Sequence, residues 1–395
     1  MKLTTLNLLL GLALMASSAQ AAGDIEHPHE RIEKVKAKDT TPHTEKSIMD
    51  RIHLKGDLRL RYESIERDDT PAEDNKYRYR LRIGAVVDLT DNLHAEVGMR
   101  SGFANPTSGN QTFEEDEPLK DYFFQSLRFN VLGLVYNSGN STYKVGRQPY
   151  MMYRPIKSQL VWDNDVSLNG ANYQYKNDTH IITVGANQPT LEEKSTANDT
   201  VNLFIAQYVN ITKFESAQLN LGTGVYYYDG LKGNTALFVS RKGNTMYKDT
   251  NGNNRYANDY HMVEAFGELK FKDVFGKPVK VAAGLVYNFG ASDNNFGYDL
   301  AIQVGKAKKI NDWQVKYSYT DLQEDATYGA YSDSDNFGGG TASKGHAIRA
   351  KFKAGKNIYL AGNFFFNTLY QSRTKDLLVV EPTYERVQLD MIYKF

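Results

Sequence analysis

The sequence has no cysteine, 10 prolines in 395 residues, and no long apolar run beyond its first twenty or so positions. The lack of cysteine excludes disulfides, thiolate metal sites and thiol nucleophiles together. The lack of apolar runs of ~18 residues, with a mean hydropathy of −0.54, excludes a bundle of membrane-spanning helices. Charge excess is missing too: 47 basic residues balance 47 acidic ones, which gives no general attraction to nucleic acid. What is present in quantity is 27 tyrosines, 19 phenylalanines and 31 glycines, a composition suited to strands and turns. A transmembrane β-barrel has this polar average, because only every second strand residue meets lipid.

The beginning, MKLTTLNLLLGLALMASSAQA, pairs Lys2 with an apolar stretch and a small-residue Ala19-Gln20-Ala21 cleavage site. Residues 1–21 are therefore expected to be a secretory signal peptide. Residues 22–51 form a charged, apolar-poor segment expected to be solvated and periplasmic; its His27, His29 and His43 lack the partners a metal site needs.

From residue 52 to 395 the chain alternates. In KYRYRLRIGAVVDL, Arg78, Arg80 and Arg82 share one face, and Tyr77, Tyr79, Leu81, Ile83, Ala85 and Val87 share the other. Similar segments recur to the end, among them IHLKGDLRLRYE (52–63), NLHAEVGMRSGF (92–103), DYFFQSLRFN (121–130) and ERVQLDMIYKF (385–395). About 16 strands result, each near the ~9–11 residues that cross a bilayer at a tilt. Short linkers such as 89–92 and 355–356 alternate with long ones such as 104–120, 229–259 and 323–344. Short periplasmic turns and long extracellular loops are the mark of an outer-membrane barrel. The fold expected is all-β, a closed antiparallel transmembrane β-barrel, because lipid forbids unpaired backbone at an open edge. An arginine facing lipid at mid-bilayer costs about 2–4 kcal/mol, so the three arginines belong in an aqueous lumen.

The motifs GDLRLRYE, YRYRLRIGA and VGRQPY and the ending MIYKF resemble the putative-porin family of Gram-negative outer membranes, and VGRQ is also similar to alginate-export-type barrels. The resemblance covers the chain beyond about residue 52. It implies a 16-stranded general-diffusion porin in the cell outer membrane, commonly a homotrimer. It also implies that Tyr393 and Phe395 form a terminal assembly signal for the barrel-assembly machinery.

With polar faces turned inward, Lys55, Arg59, Arg61, Arg78, Arg80, Arg82, Arg100, Arg128, Arg349, Lys351 and Arg386 form a basic sector around the closure of first and last strands. Asp57, Glu63, Glu96 and Asp390 dilute it. Such a wall focuses an anion-attracting field, unless the acidic residues of an inward-folded loop neutralise it. The resemblance places a constriction loop after the fifth strand, at PYMMYRPIKSQLVWDND. There Tyr150, Tyr153 and Trp162 are expected to pack on the wall, while Arg154, Lys157, Asp163 and Asp165 face the solute. Calcium-like spacings in DTNGNN (249–254) and DSDNFGGG (333–340) are incomplete, and both segments read as exposed surface loops.

Scattered histidines without a nucleophile motif give no enzyme, and no cofactor or metal is expected. The reading is a porin for passive diffusion of small hydrophilic solutes, anion-preferring, in contact with lipid and lipopolysaccharide. The alternatives are a substrate-specific channel for oligosaccharides or organic anions and a plugged structural or adhesin barrel.

Overall fold

The computed structural model describes residues 47–70, 74–102, 105–113, 127–189, 200–235, 242–370 and 381–395. The expected signal peptide and most of 22–51 lie outside the described residues; Ile48–Arg51 form a short 3-10 turn leading into the first strand. Nineteen strands follow among the described residues: β1 (Ile52–Arg67), β2 (Asp74–Asp88), β3 (Leu93–Arg100), β4 (Gln111–Thr112), β5 (Arg128–Ser138), β6 (Ser141–Pro149), β7 (Ser167–Lys176), β8 (His180–Gln188), β9 (Asn202–Lys213), β10 (Ala217–Asp229), β11 (Met246–Lys248), β12 (Asn254–Tyr256), β13 (His261–Val274), β14 (Lys277–Asn288), β15 (Phe296–Gly305), β16 (Trp313–Leu322), β17 (Ser343–Lys353), β18 (Ile358–Leu369) and β19 (Thr383–Lys394).

Sixteen of these are long and pair antiparallel with their sequence neighbours to make one closed sheet. The remaining three are short: β4 extends the pairing of β2 beyond β3, and β11 with β12 makes a hairpin within a loop. Closure joins β1 to β19, from Asp57 opposite Lys394 to Arg67 opposite Tyr384. Reciprocal bonds finish the seam: Gly56 N donates to Phe395 O at 2.8 Å, and Phe395 N donates to Gly56 O at 3.1 Å. No backbone edge is left for the hydrocarbon to solvate.

The alternation settles the faces. Leu58 and Leu60 of β1 and Ile83 of β2 are exposed outside, while Arg61 and Arg80 beside them are buried within. Leu134, Val184, Leu221, Leu285, Leu300 and Ile348 continue the outer apolar band around the barrel. So large a contiguous apolar surface belongs against lipid. No helix among the described residues is long and apolar enough to cross a membrane.

Linkers sort by rim. Turns occupy 89–92, 139–140, 177–179, 214–216, 275–276, 306–312 and 354–357, and the longer loops lie on the opposite rim. At Phe275-Gly276 both residues have positive φ, 52° and 79°, the backbone a two-residue hairpin needs to match strand twist.

The fourth long strand corrects the sequence reading. It runs from Arg128 to Ser138, not over 121–130, and residues 121–126 lie outside the described residues. The segment VLGLVYNS is apolar on both faces, with Leu132 and Leu134 outward and Val135 buried inward. Period-two alternation is therefore hidden there, and the strand reads as a linker.

Val184 sits at the centre of β8 on the outer face. Val184→Arg should destabilise the barrel by about 2–4 kcal/mol. The urea midpoint of protein refolded in lipid vesicles measures this.

Candidate lumen and its constriction

Among the described residues, segments 105–113, 150–166 and 323–342 of the long-loop rim turn inward. The second crosses the lumen. Gln174 of β7 donates to Met151 O at 2.6 Å, and Tyr153 N donates to Gln207 Oε1 of β9 at 2.7 Å. The Tyr153 hydroxyl donates to Glu268 of β13, and Ser158 Oγ donates to Asp299 Oδ2 of β15 at 2.5 Å. Ile156 is buried against Ala282 and Ala301, and Lys316 Nζ of β16 donates to its carbonyl oxygen at 3.1 Å. The loop is held by wall groups on strand after strand because it offers them both apolar side chains and free backbone amides and carbonyls.

Its aromatic residues nucleate a core inside the barrel. Trp162 packs edge-on against Tyr226 of β10, ring centroids 5.2 Å apart, and lies 5.8 Å from Tyr150 and 5.9 Å from Tyr331. Tyr228, Tyr256, Tyr260 and Tyr328 complete this cluster, all fully buried with Leu168, Leu203, Met262 and Val286 of the wall. The loop-side half of the lumen beside β7–β14 is thus filled with side chains.

Beside β1, β2 and β19 the filling is ionic. Arg61 makes a bidentate pair with Asp390, at 2.6 and 2.8 Å, and reaches Asp335 at 3.5 Å. Arg78 and Arg386 pair with Glu63 at 3.0 and 2.5 Å, and Arg386 also meets Asp335 at 3.3 Å. Arg80 and Arg82 share Asp57, at 2.9 and 2.8 Å, and both reach Asp165, at 3.5 and 3.1 Å. Arg59 donates to Asn110 and lies 3.9 Å from Asp390; Arg100 donates to the carbonyl oxygens of Asn105 and Asp165. Six guanidinium groups (residues 59, 61, 78, 80, 82 and 386) therefore meet five carboxylates (57, 63, 165, 335 and 390), and Arg100 beside them is held by backbone carbonyl oxygens. Burial alone would raise the Asp165 carboxyl, but Arg82, Arg80 and Arg100 outweigh it and hold it below the usual range. Burial likewise opposes, and Arg61 and Arg386 reverse, the shift at Asp335, which ends well below the usual range.

The other basic positions are arranged differently. Lys55 lies 3.7 Å from Glu96, and Arg128 is exposed opposite Arg100 at the loop end of β5. Arg349 pairs with Asp333 at 2.9 Å, and Lys351 lies over the ring of Tyr359 at 4.4 Å.

The arginine sector takes the second of the two arrangements expected: carboxylates of inward-folded loops join those of the wall in pairing it. One expectation changes. The segment 333–340 is not an exposed surface loop, since Asp333 and Asn336 are buried inside the barrel and Asp335 bridges two wall arginines. Its glycines and acids have the composition of a surface loop, and only the wall opposite it reveals the destination. Within loop 150–166, Arg154 turns back to the carbonyl oxygens of Ser158 and Trp162, at 2.9 and 2.8 Å, and away from a solute path. Asp163 is buried and accepts from Ser334 N of the third loop at 2.9 Å. Burial, with Asp165 and Asp333 nearby, pushes its carboxyl well above the usual range. Lys157 is exposed. The segment 249–254 closes the β11–β12 hairpin, where the Arg255 side chain and backbone amides hold Asp249 at about 2. No cluster of metal-binding side chains occurs among the described residues.

A cavity of about 170 Å³ remains between loops 150–166 and 323–342 and the inner faces of β15–β17. Lys157, Lys316, Arg349, Asp299, Asp333 and Gln314 line it.

Asp335→Asn should free loop 323–342, because two buried guanidinium groups lose a shared partner; the cost expected is about 3–5 kcal/mol. Faster chymotrypsin cleavage within that loop, at Tyr328 or Tyr331, in an otherwise intact barrel, measures it. The carboxylate's contribution is complete above pH 3.8 and is lost as pH falls from there toward its depressed native value, so acid should mimic the substitution.

The sequence profile of the family described as "Putative porin" matches residues 66–260 and 257–373. No curated protein matches the sequence. Among solved structures, OprB of Pseudomonas putida is similar with a TM-score of 0.58 at 12% identity, over 88% of this chain and 95% of that one. Salmonella typhi OmpF, in complex with daunomycin, gives 0.49 at 12% identity over 87% and 97%. The trimer form of Vibrio cholerae OmpT gives 0.47 at 12% identity over 87% and 99%. At such identities the likeness to OprB is one of fold. The profile match extends from the end of β1 to just past β18, and the sixteen-stranded closed barrel fits it, so the chain belongs to the putative-porin family of outer-membrane channel-forming barrels.

Proposed function

We propose that the protein is a passive channel for small hydrophilic solutes, exported to the Gram-negative outer membrane, with its turn rim in the periplasm and a preference for anions. The supporting observation is an asymmetry of charge compensation. On β1, β2 and β19 the arginines are bound to carboxylates and serve mainly to dock loops. On β16 and β17 Arg349 is bound to Asp333, but the lysines are less engaged: the Lys316 ammonium donates to one carbonyl oxygen, and Lys351 faces an aromatic ring. These line or adjoin the remaining cavity, so the passing solute meets ammonium groups in a wall of low dielectric. No covalent step, cofactor or catalytic group enters this reading.

The aromatic core favours a second reading, a plugged barrel of structural or adhesive use, since side chains fill much of the loop-side lumen. A planar bilayer separates them. The channel reading expects ion current and, across a tenfold KCl gradient, a reversal potential on the chloride side. The doubly substituted K316Q/K351Q should move that potential toward the cation side. R78Q/R80Q/R82Q should chiefly raise single-channel conductance by releasing Asp165 and its loop. A wild-type protein that carries no current would leave the plugged barrel.

A further inference from the structure

Lys351, Lys353 and Lys394 bring three ammonium groups over a single ring, that of Tyr359, at 4.4, 5.5 and 5.2 Å from its centroid. Strand register produces the convergence. Tyr359 lies on β18, opposite Lys353 of β17 and opposite Ile392 of β19, two residues from Lys394. All four side chains point inward, since their strand neighbours Phe352, Leu360 and Tyr393 are exposed on the outer face. One aromatic face accommodates one cation well, and three exceed its capacity. Lys353 also donates to Lys308 O at 2.9 Å, whereas Lys351 and Lys394 have no carboxylate at ion-pair distance among the described residues. Lys351 and Lys394 lie within about 10 Å of each other, as their ring distances require, so salt at 0.1 M screens their repulsion incompletely.

A second feature brings a fourth lysine to the neighbouring wall. At the tip of loop 150–166, Ile156 and Lys157 both have left-handed backbone, φ 45° and 55°. A β-branched residue in that region is an outlier and persists only where its surroundings hold it. Here Ala282 and Ala301 bury the Ile156 side chain, and Lys316 holds its carbonyl. The tip therefore presents Lys157 at the cavity that it lines with Gln314, whose register partner on β17 is Lys351.

We infer that Lys157, Lys351, Lys353 and Lys394 form a binding site for small oxyanions of two or more negative charges, below the constriction toward the turn rim. The site deepens the channel reading and rests on it for its place on a solute path. Ammonium groups are compact point charges with freely rotating donors, unlike the planar fork of arginine. They gather oxyanions by charge without selecting one shape, so a phosphate and a dicarboxylate share the chemistry. A single negative charge would leave most of the cluster uncompensated.

Calorimetry on the full chain in detergent at low salt, with inorganic phosphate and with succinate as separate probes, tests the site. Saturable binding of at least one probe is expected, weakened tenfold or more in K351Q/K394Q and unchanged in K213Q, which alters a lysine at the turn rim paired with Asp178. If the double variant does not fold, K351Q alone should weaken binding threefold or more. In bilayers the same probe should reduce chloride current saturably. No saturable binding of either probe, or binding indifferent to these substitutions, would overturn the inference. Chloride-selective current without oxyanion binding would remove the site and leave the channel. Oxyanion binding without any current would do the reverse.

Discussion

Hydrocarbon cannot solvate a backbone amide, and the architecture depends on that constraint. Every strand edge must be paired, so β19 has to meet β1, and the sheet becomes a cylinder with an inside and an outside. Strand alternation then assigns each side chain to one or the other. Leu58 and Leu60 go to lipid, and Asp57, Arg59 and Arg61 go to the interior. The interior is consequently rich in charge, which is affordable only if water or countercharge is at hand. This barrel uses countercharge on one side and leaves ammonium groups with fewer partners on the other.

The countercharge comes partly from the wall and partly from loops. Asp57, Glu63 and Asp390 are strand residues, while Asp165 and Asp335 arrive from the long-loop rim. Docking a loop through ion pairs alone would be weak, because desolvating both partners consumes most of the Coulombic gain. The apolar contacts of Trp162, Tyr331 and Tyr226 supply a conventional core beside them. Ionic contacts fix which residues meet, and aromatic burial provides the cohesion. The two sets are joined physically: Asp163 N donates to Tyr331 O at 2.7 Å, which ties loop 150–166 to loop 323–342.

Sequence carries the wall better than the filling. A period of two is a local signal, and it marks Lys76–Leu89 or Arg386–Phe395 without knowledge of any partner. It fails at Val131–Ser138, where both faces are apolar and the alternation has no contrast. The aromatic content of Tyr150–Trp162 is likewise a local sign that the segment seeks cover. Nothing local distinguishes the acids of 333–335 from those of an exposed loop, because the partners of Asp335, Arg61 and Arg386, are remote in sequence, 274 and 51 residues away. The convergence of Lys351, Lys353 and Lys394 on Tyr359 also depends on register among three strands, which periodicity does not give.

The seam between β1 and β19 has a kinetic consequence. Arg61 and Asp390 are 329 residues apart, so their strands form the pairing with the longest chain loop of any in the wall. Loop-closure entropy makes such a contact a late event. Until it forms, a folding intermediate carries two unpaired sticky borders, one at each end of a curved ribbon. A second copy of the same ribbon could satisfy those borders as well as the molecule's own far end does. Correct assembly is therefore a race between intramolecular sealing and polymerisation, and dilution favours the first.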